Sequence, residues 1–201
     1  MLRVGLTGGL ASGKSFVGSC LQELGCYLIQ ADTLGREIIN PGGEAYAEVV
    51  EAFGPSILQP DGAIDRRRLA AEVFGQPDRL ALLNRLVHPH VFAREERLVE
   101  QYKSLDPRGI VVVEAAIMIE AGSYQRCDKL IVAVCGEEQQ IERAMKRDAT
   151  TREEVLARLR IQMPLSEKRK FADYVIDTSG DKEQTRHQVR NVYEALRSLN
   201  P

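Results

Sequence analysis

The chain has 201 residues, of which 44% are hydrophobic and 28% charged, and its formal net charge is −2. That length and balance suit a soluble globular protein with a full core, and they argue against a disordered chain or a disulfide scaffold. No basic excess marks a nucleic-acid surface, no run is apolar for long enough to span a membrane, and Trp is absent. The four cysteines (Cys20, Cys26, Cys127 and Cys135) form no CxxC pair, so reduced thiols in a cytoplasmic protein are expected.

In chain order, the first predicted element is an apolar strand over Leu2–Thr7, followed by a glycine-rich loop and a helix over Ser15–Leu24. A second strand, Cys26–Gln30, runs into Ala31-Asp32. The next stretch is read as helical over Leu34–Ile39, Glu44–Phe53, Arg67–Phe74, Arg79–Leu86 and Phe92–Ser104, punctuated by the turns at 40–43 and 59–62. Strands follow over Gly109–Glu114, Lys129–Cys135 and Tyr174–Asp177, with helices over Glu137–Asp148, Arg152–Gln162 and Lys182–Leu199. The Val- and Ile-rich runs are continuous rather than alternating, which is the pattern of strands covered on both faces. Strands separated by helices predict an α/β fold: a three-layer core on a five-stranded parallel sheet. The organisation expected is a nucleotide-binding core (1–33 and 106–201), an inserted helical subdomain for an acceptor (34–105) and a helical lid (137–166).

The loop is "TGGLASGKS", residues 7–15. From Gly8 to Ser15 it fits GxxxxGK[ST], between a strand and a helix, which is the context a P-loop requires. Glycines let successive N–H groups turn inward toward phosphate oxygens, and the helix N-terminus adds unpaired N–H groups and partial positive charge. Gly8, Gly9, Ala11, Ser12, Gly13, Lys14, Ser15 and Phe16 are the expected nucleotide contacts. Lys14 is expected on the β- and γ-phosphates and Ser15 on Mg²⁺.

A switch GTPase and a phosphotransferase are the competing classes. Asp32-Thr33-Leu34-Gly35 spells DxxG, yet it follows Lys14 too closely for a first switch loop, and no Asn precedes a Lys to make a guanine motif. A phosphotransferase needs a group to orient the acceptor and cations to neutralise the moving phosphoryl. Asp32, just past the second strand, is the candidate base, and it also suits an N-cap for a helix starting near Thr33. Arg143 and Arg147, at i and i+4, share a helix face and would repel one another unless an anion lay between them, as a lid over a triphosphate would provide. Glu114 closes the third strand as a candidate metal ligand. Arg66, in Asp65-Arg66-Arg67-Arg68, is read either as a contact for an anionic acceptor or as a solvated helix start. His88 and His90, with Pro89 between them, are not read as a zinc pair.

Beyond the P-loop, "QAD", "LGREIINPGGEAY", "ILQPDGAIDRRRLAAEVF", "RLVHPHV", "RAMKRDATTREEVLARLRIQMP" and "KRKFADYVIDTSG" occur in order. This set resembles the dephospho-coenzyme A kinase family from about Val4 to Gly180. The resemblance implies transfer of a phosphoryl group from ATP to the ribose 3′-hydroxyl of dephospho-coenzyme A. It implies Asp32 as base, Lys14, Arg143 and Arg147 as charge neutralisers, and Thr7, Asp32, Arg66 and His88 on the acceptor side. It further implies ATP and Mg²⁺ (held by Ser15 and Glu114), and a monomer or weak homo-oligomer without nucleic-acid or membrane partners. Several positions depart from the family pattern: Gln30 and Glu114 where Asp is usual, Ala11 where Gly is common, Phe16 where Thr is common, and Thr178 where Asn is common. A nucleoside or nucleotide kinase on the same core, or a non-enzymatic nucleotide-dependent regulator, remain as alternatives.

Overall fold

The computed structural model describes residues 1–199. Five strands, β1 (Leu2–Gly8), β2 (Tyr27–Gln30), β3 (Ile110–Glu114), β4 (Lys129–Val134) and β5 (Tyr174–Asp177), form one sheet in the order β2-β3-β1-β4-β5. Every pairing is parallel. The expected α/β class and five-stranded parallel sheet are therefore observed.

The parallel order explains the apolar runs. One parity of residues, including Val4, Leu6, Val112, Ile131, Ala133 and Ile176, packs with Val17 and Leu21 of helix α1 (Lys14–Glu23) and with Val189 and Leu196 of helix α9 (Lys182–Leu199). Residues of the opposite parity, Val111, Val113, Leu130 and Val132, are buried as well. Both faces are covered, so neither parity is polar. Strand β1 has β3 on one side and β4 on the other. The loop after it therefore emerges where the strand order reverses, the place at which open α/β sheets hold ligands.

The chain divides into two compact units, one made of Met1–Gln30 with the chain from Gln101 onward, the other of Ala31–Glu100. The second unit contains α2 (Ala31–Ile38), α3 (Tyr46–Phe53), α4 (Arg66–Val73) and most of α5 (Pro77–Leu105). Leu34, Ile38, Val49, Phe53, Ile57, Leu69 and Val91 are among its buried apolar residues. Asp65 caps α4 by accepting hydrogen bonds from the Arg67 and Arg68 amides. Arg68 donates to the Leu58 carbonyl at 2.8 Å, which ties the basic run to the preceding turn.

Two expectations need correction here. The helices expected over Arg79–Leu86 and Phe92–Ser104 are one continuous helix, α5, with Pro89 inside it. A proline removes one backbone hydrogen bond and crowds the preceding turn, but α5 is 29 residues long and retains buried Val91, Glu95 and Val99. Asp32 is not an N-cap: α2 begins at Ala31, directly after β2, which puts Asp32 within its first turn. An acid there still faces the positive end of the helix dipole.

In the first unit, α6 (Glu137–Asp148), α7 (Arg152–Arg160) and the short α8 (Leu165–Lys168) follow β4. Thr151 and Glu154 form a reciprocal capping box at the start of α7. Arg152 holds Glu138 with two bonds, 2.7 and 2.8 Å long, across α6 and α7. Ile141, Ala144 and Val155 form a small cluster with Leu10 of the glycine loop. Among the described residues, no helix is long and apolar enough to cross a membrane.

Ala149 ends α6 in the left-handed region, at φ 50° and ψ 46°. An L side chain is disfavoured there, whereas glycine is the usual residue at such a cap. Ala149→Gly is expected to raise stability by about 0.5–1 kcal/mol, read as a higher urea midpoint at unchanged slope. A lower midpoint would contradict this cap assignment.

Candidate active site

The loop between β1 and α1 forms a cradle. Gly13, at φ 81°, immediately precedes α1, and no side chain caps the helix. No side chain therefore competes with an anion for the first turn of α1. A Cβ on Gly13 would lie 2.9 Å from Thr178 Oγ1, so both its conformation and its surroundings demand glycine. Ser12 Oγ is buried and has no hydrogen-bond partner among the described residues. Uncapped amides and an orphaned hydroxyl fit a phosphate group. Ala11 carries the same turn at φ 53° although it has a side chain.

Lys14 and Ser15, the first residues of α1, converge on one atom. Lys14 Nζ donates to Glu114 Oε1 at 2.6 Å, and Ser15 Oγ donates to the same oxygen at 2.7 Å. Gln30 Nε2, at the end of β2, donates to Glu114 Oε2 at 3.3 Å. The sheet register produces this meeting, since Glu114 lies opposite Leu6 on β1 and opposite Gln30 on β2. Burial pushes the Glu114 pKa up, but the Lys14 charge and the bonds from Lys14, Ser15 and Gln30 outweigh it and leave the pKa below the ordinary value. Glu114 and Ser15, both expected at the metal, are thus brought together.

Arg143 and Arg147, both on α6, are not brought to one point. Arg143 donates to Thr178 Oγ1 at 3.2 Å and to the Thr178 carbonyl at 2.8 Å. Thr178 Oγ1 in turn donates to the Ser12 carbonyl at 2.8 Å, so Arg143 reaches the loop through Thr178. Arg147 instead pairs with Asp148 through Nε at 2.7 Å and Nη2 at 3.0 Å. Arg158 holds the same carboxylate at 2.7 Å. Hydrogen bonds from these two arginines hold the Asp148 carboxyl below its usual range. The i, i+4 repulsion expected between the arginines is relieved by a local carboxylate rather than by a shared anion.

Thr7 is fully buried, and its hydroxyl donates to the Ala116 carbonyl at 3.3 Å. It supports the turn after β3 and does not open to solvent. Phe16 is half-buried beneath Lys182 and Arg186, whose cationic groups sit 5.6 and 5.3 Å from its ring centre. In the second unit Asp32 and Arg66 are exposed. His88 packs against Phe92 with ring centres 5.7 Å apart, and burial lowers its pKa.

Sequence reasoning missed Lys168, which is fully buried. Its Nζ donates to the Ala116 carbonyl at 2.6 Å, pairs with Glu120 at 2.9 Å and lies 3.4 Å from the Gly8 carbonyl. Glu120 also accepts from the Met163 amide at 3.0 Å. Thr178, Gln140 and Gln162 were likewise unassigned. Their partners are 130 to 166 positions away in sequence, a relation no local motif announces.

The lowered Glu114 pKa has a signed consequence. Its ionised form adds stability that is complete above the ordinary value of 4.5 and is lost as pH falls through the lower folded value. The stability gap between the native chain and Glu114→Gln, followed by urea unfolding from about pH 6 down to about pH 3, is expected to narrow as pH falls. A gap that stays constant or widens would show that Glu114 is not held ionised by Lys14 and Ser15.

Comparison with known proteins identifies the family. A family model described as dephospho-CoA kinase matches residues 2–184. A dephospho-CoA kinase from Carboxydothermus hydrogenoformans is 44% identical over 193 residues, spanning 95% of this chain and 92% of that one. Another, from Aquifex aeolicus, is 41% identical and covers 98% of both chains. A crystal structure from Thermus thermophilus matches with a TM-score of 0.81 at 33% identity over 97% of each chain. A dephospho-CoA kinase from Campylobacter jejuni matches at 0.69 and 27% identity over 99% of this chain and 98% of that one. The residues that build the cradle fall within the matched span, and the chain belongs to the dephospho-CoA kinase family.

Proposed function

We propose that the P-loop site works with Asp32 to move the terminal phosphoryl of ATP onto an alcohol, the ribose 3′-hydroxyl of dephospho-coenzyme A. The family's reaction is ATP-dependent phosphorylation of dephospho-coenzyme A, a step of coenzyme A biosynthesis. The observation that carries it is the meeting of Lys14 and Ser15 on the buried Glu114 carboxylate, beside the uncapped start of α1.

The chemistry follows from charge. Phosphoryl transfer is catalysed mainly by positioning and electrostatic stabilisation. The α1 amides and Lys14 hold phosphate oxygens. When Lys14 turns to them, Glu114 loses its cation, and a buried unpaired carboxylate is costly. Ser15 and Glu114 are the residues that would hold a divalent cation in its place. Bound there, Mg²⁺ would neutralise phosphate charge during transfer. Arg143, which already reaches the loop through Thr178, adds a second positive group. Arg147 contributes only by leaving Asp148.

Asp32 is assigned the acceptor hydroxyl. Its support is its place in the chain, two residues after the carboxyl end of β2, together with its exposure. A carboxylate orients the hydroxyl and accepts its proton as the bond to phosphorus forms. Arg66 and His88 are assigned to the acceptor's anionic and coenzyme A portions on the family pattern.

Asp32→Asn tests this assignment. The variant is expected to bind ATP like the native chain and to lose turnover by about 10²-fold or more. Titration with ATP and a coupled assay of ADP release in the presence of dephospho-coenzyme A separate the two effects. Near-native turnover would remove Asp32 as the base, and turnover by the native chain on nucleosides alone would replace the acceptor.

A further inference from the structure

Leu10 sits at the crown of the phosphate loop, and both polar groups of its backbone are held by the lid. Its N–H donates to Gln162 Oε1 at 3.0 Å, just beyond α7. Its carbonyl accepts from Gln140 Nε2 at 2.7 Å, on α6. The backbone fixes the sense of both bonds: an N–H can meet only the amide oxygen, and a carbonyl only the amide nitrogen. Gln140 is itself buried.

The surroundings are shaped for this clamp. A Cβ on Gly9 would lie 2.5 Å from Gln140 Nε2 and 3.2 Å from Leu165. Gly9 is not at positive φ, so what it provides is room. Ala11, the residue after Leu10, is held at φ 53°. A side chain in the left-handed region costs about 1 kcal/mol and persists only where its surroundings fix it. The Leu10 side chain packs on Ile141, Ala144 and Val155, but a cavity of about 580 Å³ lined by Gly9, Gln140, Leu159, Gln162 and Leu165 adjoins the loop on the lid side. Apolar packing thus grips one side of Leu10, while its peptide groups are set by the two amides.

We propose that Gln140 and Gln162 are positioning residues for nucleotide binding. By fixing the Leu10 peptide groups they hold the amide cradle in its anion-binding form and make that form depend on the lid helices. Neither side chain is assigned a contact with nucleotide. The proposal rests on the reading of this loop as the ATP site.

The test exploits the opposite polarity of the two bonds. Gln162→Met removes an acceptor, and Gln162→Glu restores one. Gln140→Met removes a donor, and Gln140→Glu sets a carboxylate against a carbonyl. ATP titration of the full chain, with KM for ATP and for the acceptor measured separately, reads the outcome. Both Met variants and Gln140→Glu are expected to weaken ATP binding about tenfold, with the acceptor KM nearly unchanged. Gln162→Glu is expected to recover most of the affinity lost in Gln162→Met. Both Glu variants add one negative charge close to the loop, so a charge effect alone would move them equally. Equal weakening by the two, or native affinity in both Met variants, would overturn the proposal. Gln162 is only half-buried, so the contrast between its Met and Glu forms decides the matter even if a Gln140 variant fails to fold. Failure of the native chain to bind ATP would instead overturn the reading of the loop.

Discussion

A lysine ammonium, a serine hydroxyl and a buried carboxylate meet within 2.7 Å at the head of α1, and the rest of the site is arranged around that meeting. Glu114 remains ionised in the interior because Lys14, Ser15 and Gln30 are there. Lys14 and Ser15 are there because α1 begins immediately after Gly13. Gly13 in turn makes its turn because it has no Cβ, whose place Thr178 takes. Remove any one of these and a buried charge or a blocked turn remains. The sheet supplies the rigidity, since β1 lies between two parallel neighbours and β3 delivers Glu114 in register.

Much of this could be read from the residues. Continuous Val and Ile runs marked the strands, because both faces of the sheet are covered. The P-loop announced itself because its chemistry is local: glycines, a lysine and a serine act within eight positions. Helix ends were less legible. Two helices were expected on either side of Pro89, yet the length and buried face of α5 outweigh the single hydrogen bond that a proline removes. The supports of the loop were invisible for a different reason. Lys168, Thr178, Gln140 and Gln162 act through backbone atoms far away in sequence, and a backbone carbonyl has no residue type to recognise.

Helices α6 and α7 distribute charge in a way that spacing alone could not foresee. Two arginines one turn apart repel one another unless an anion lies between them. Instead Asp148 neutralises Arg147 together with Arg158, and Arg143 is left to reach Thr178 and, through it, the loop. The same helix thus has one arginine committed to its own fold and one directed at the site. Exposed ion pairs of this kind contribute little to stability, so the arrangement is better understood as sorting charges than as adding strength.

Gly9 links the phosphate loop to a residue on a different helix by simple volume. The space that a side chain would occupy there is filled by Gln140 and Leu165. A bulkier loop at this point would require a smaller partner at 140, so drift at either position is confined by the other. Transplanting this loop into another nucleotide-binding scaffold would therefore carry over only half of a matched pair.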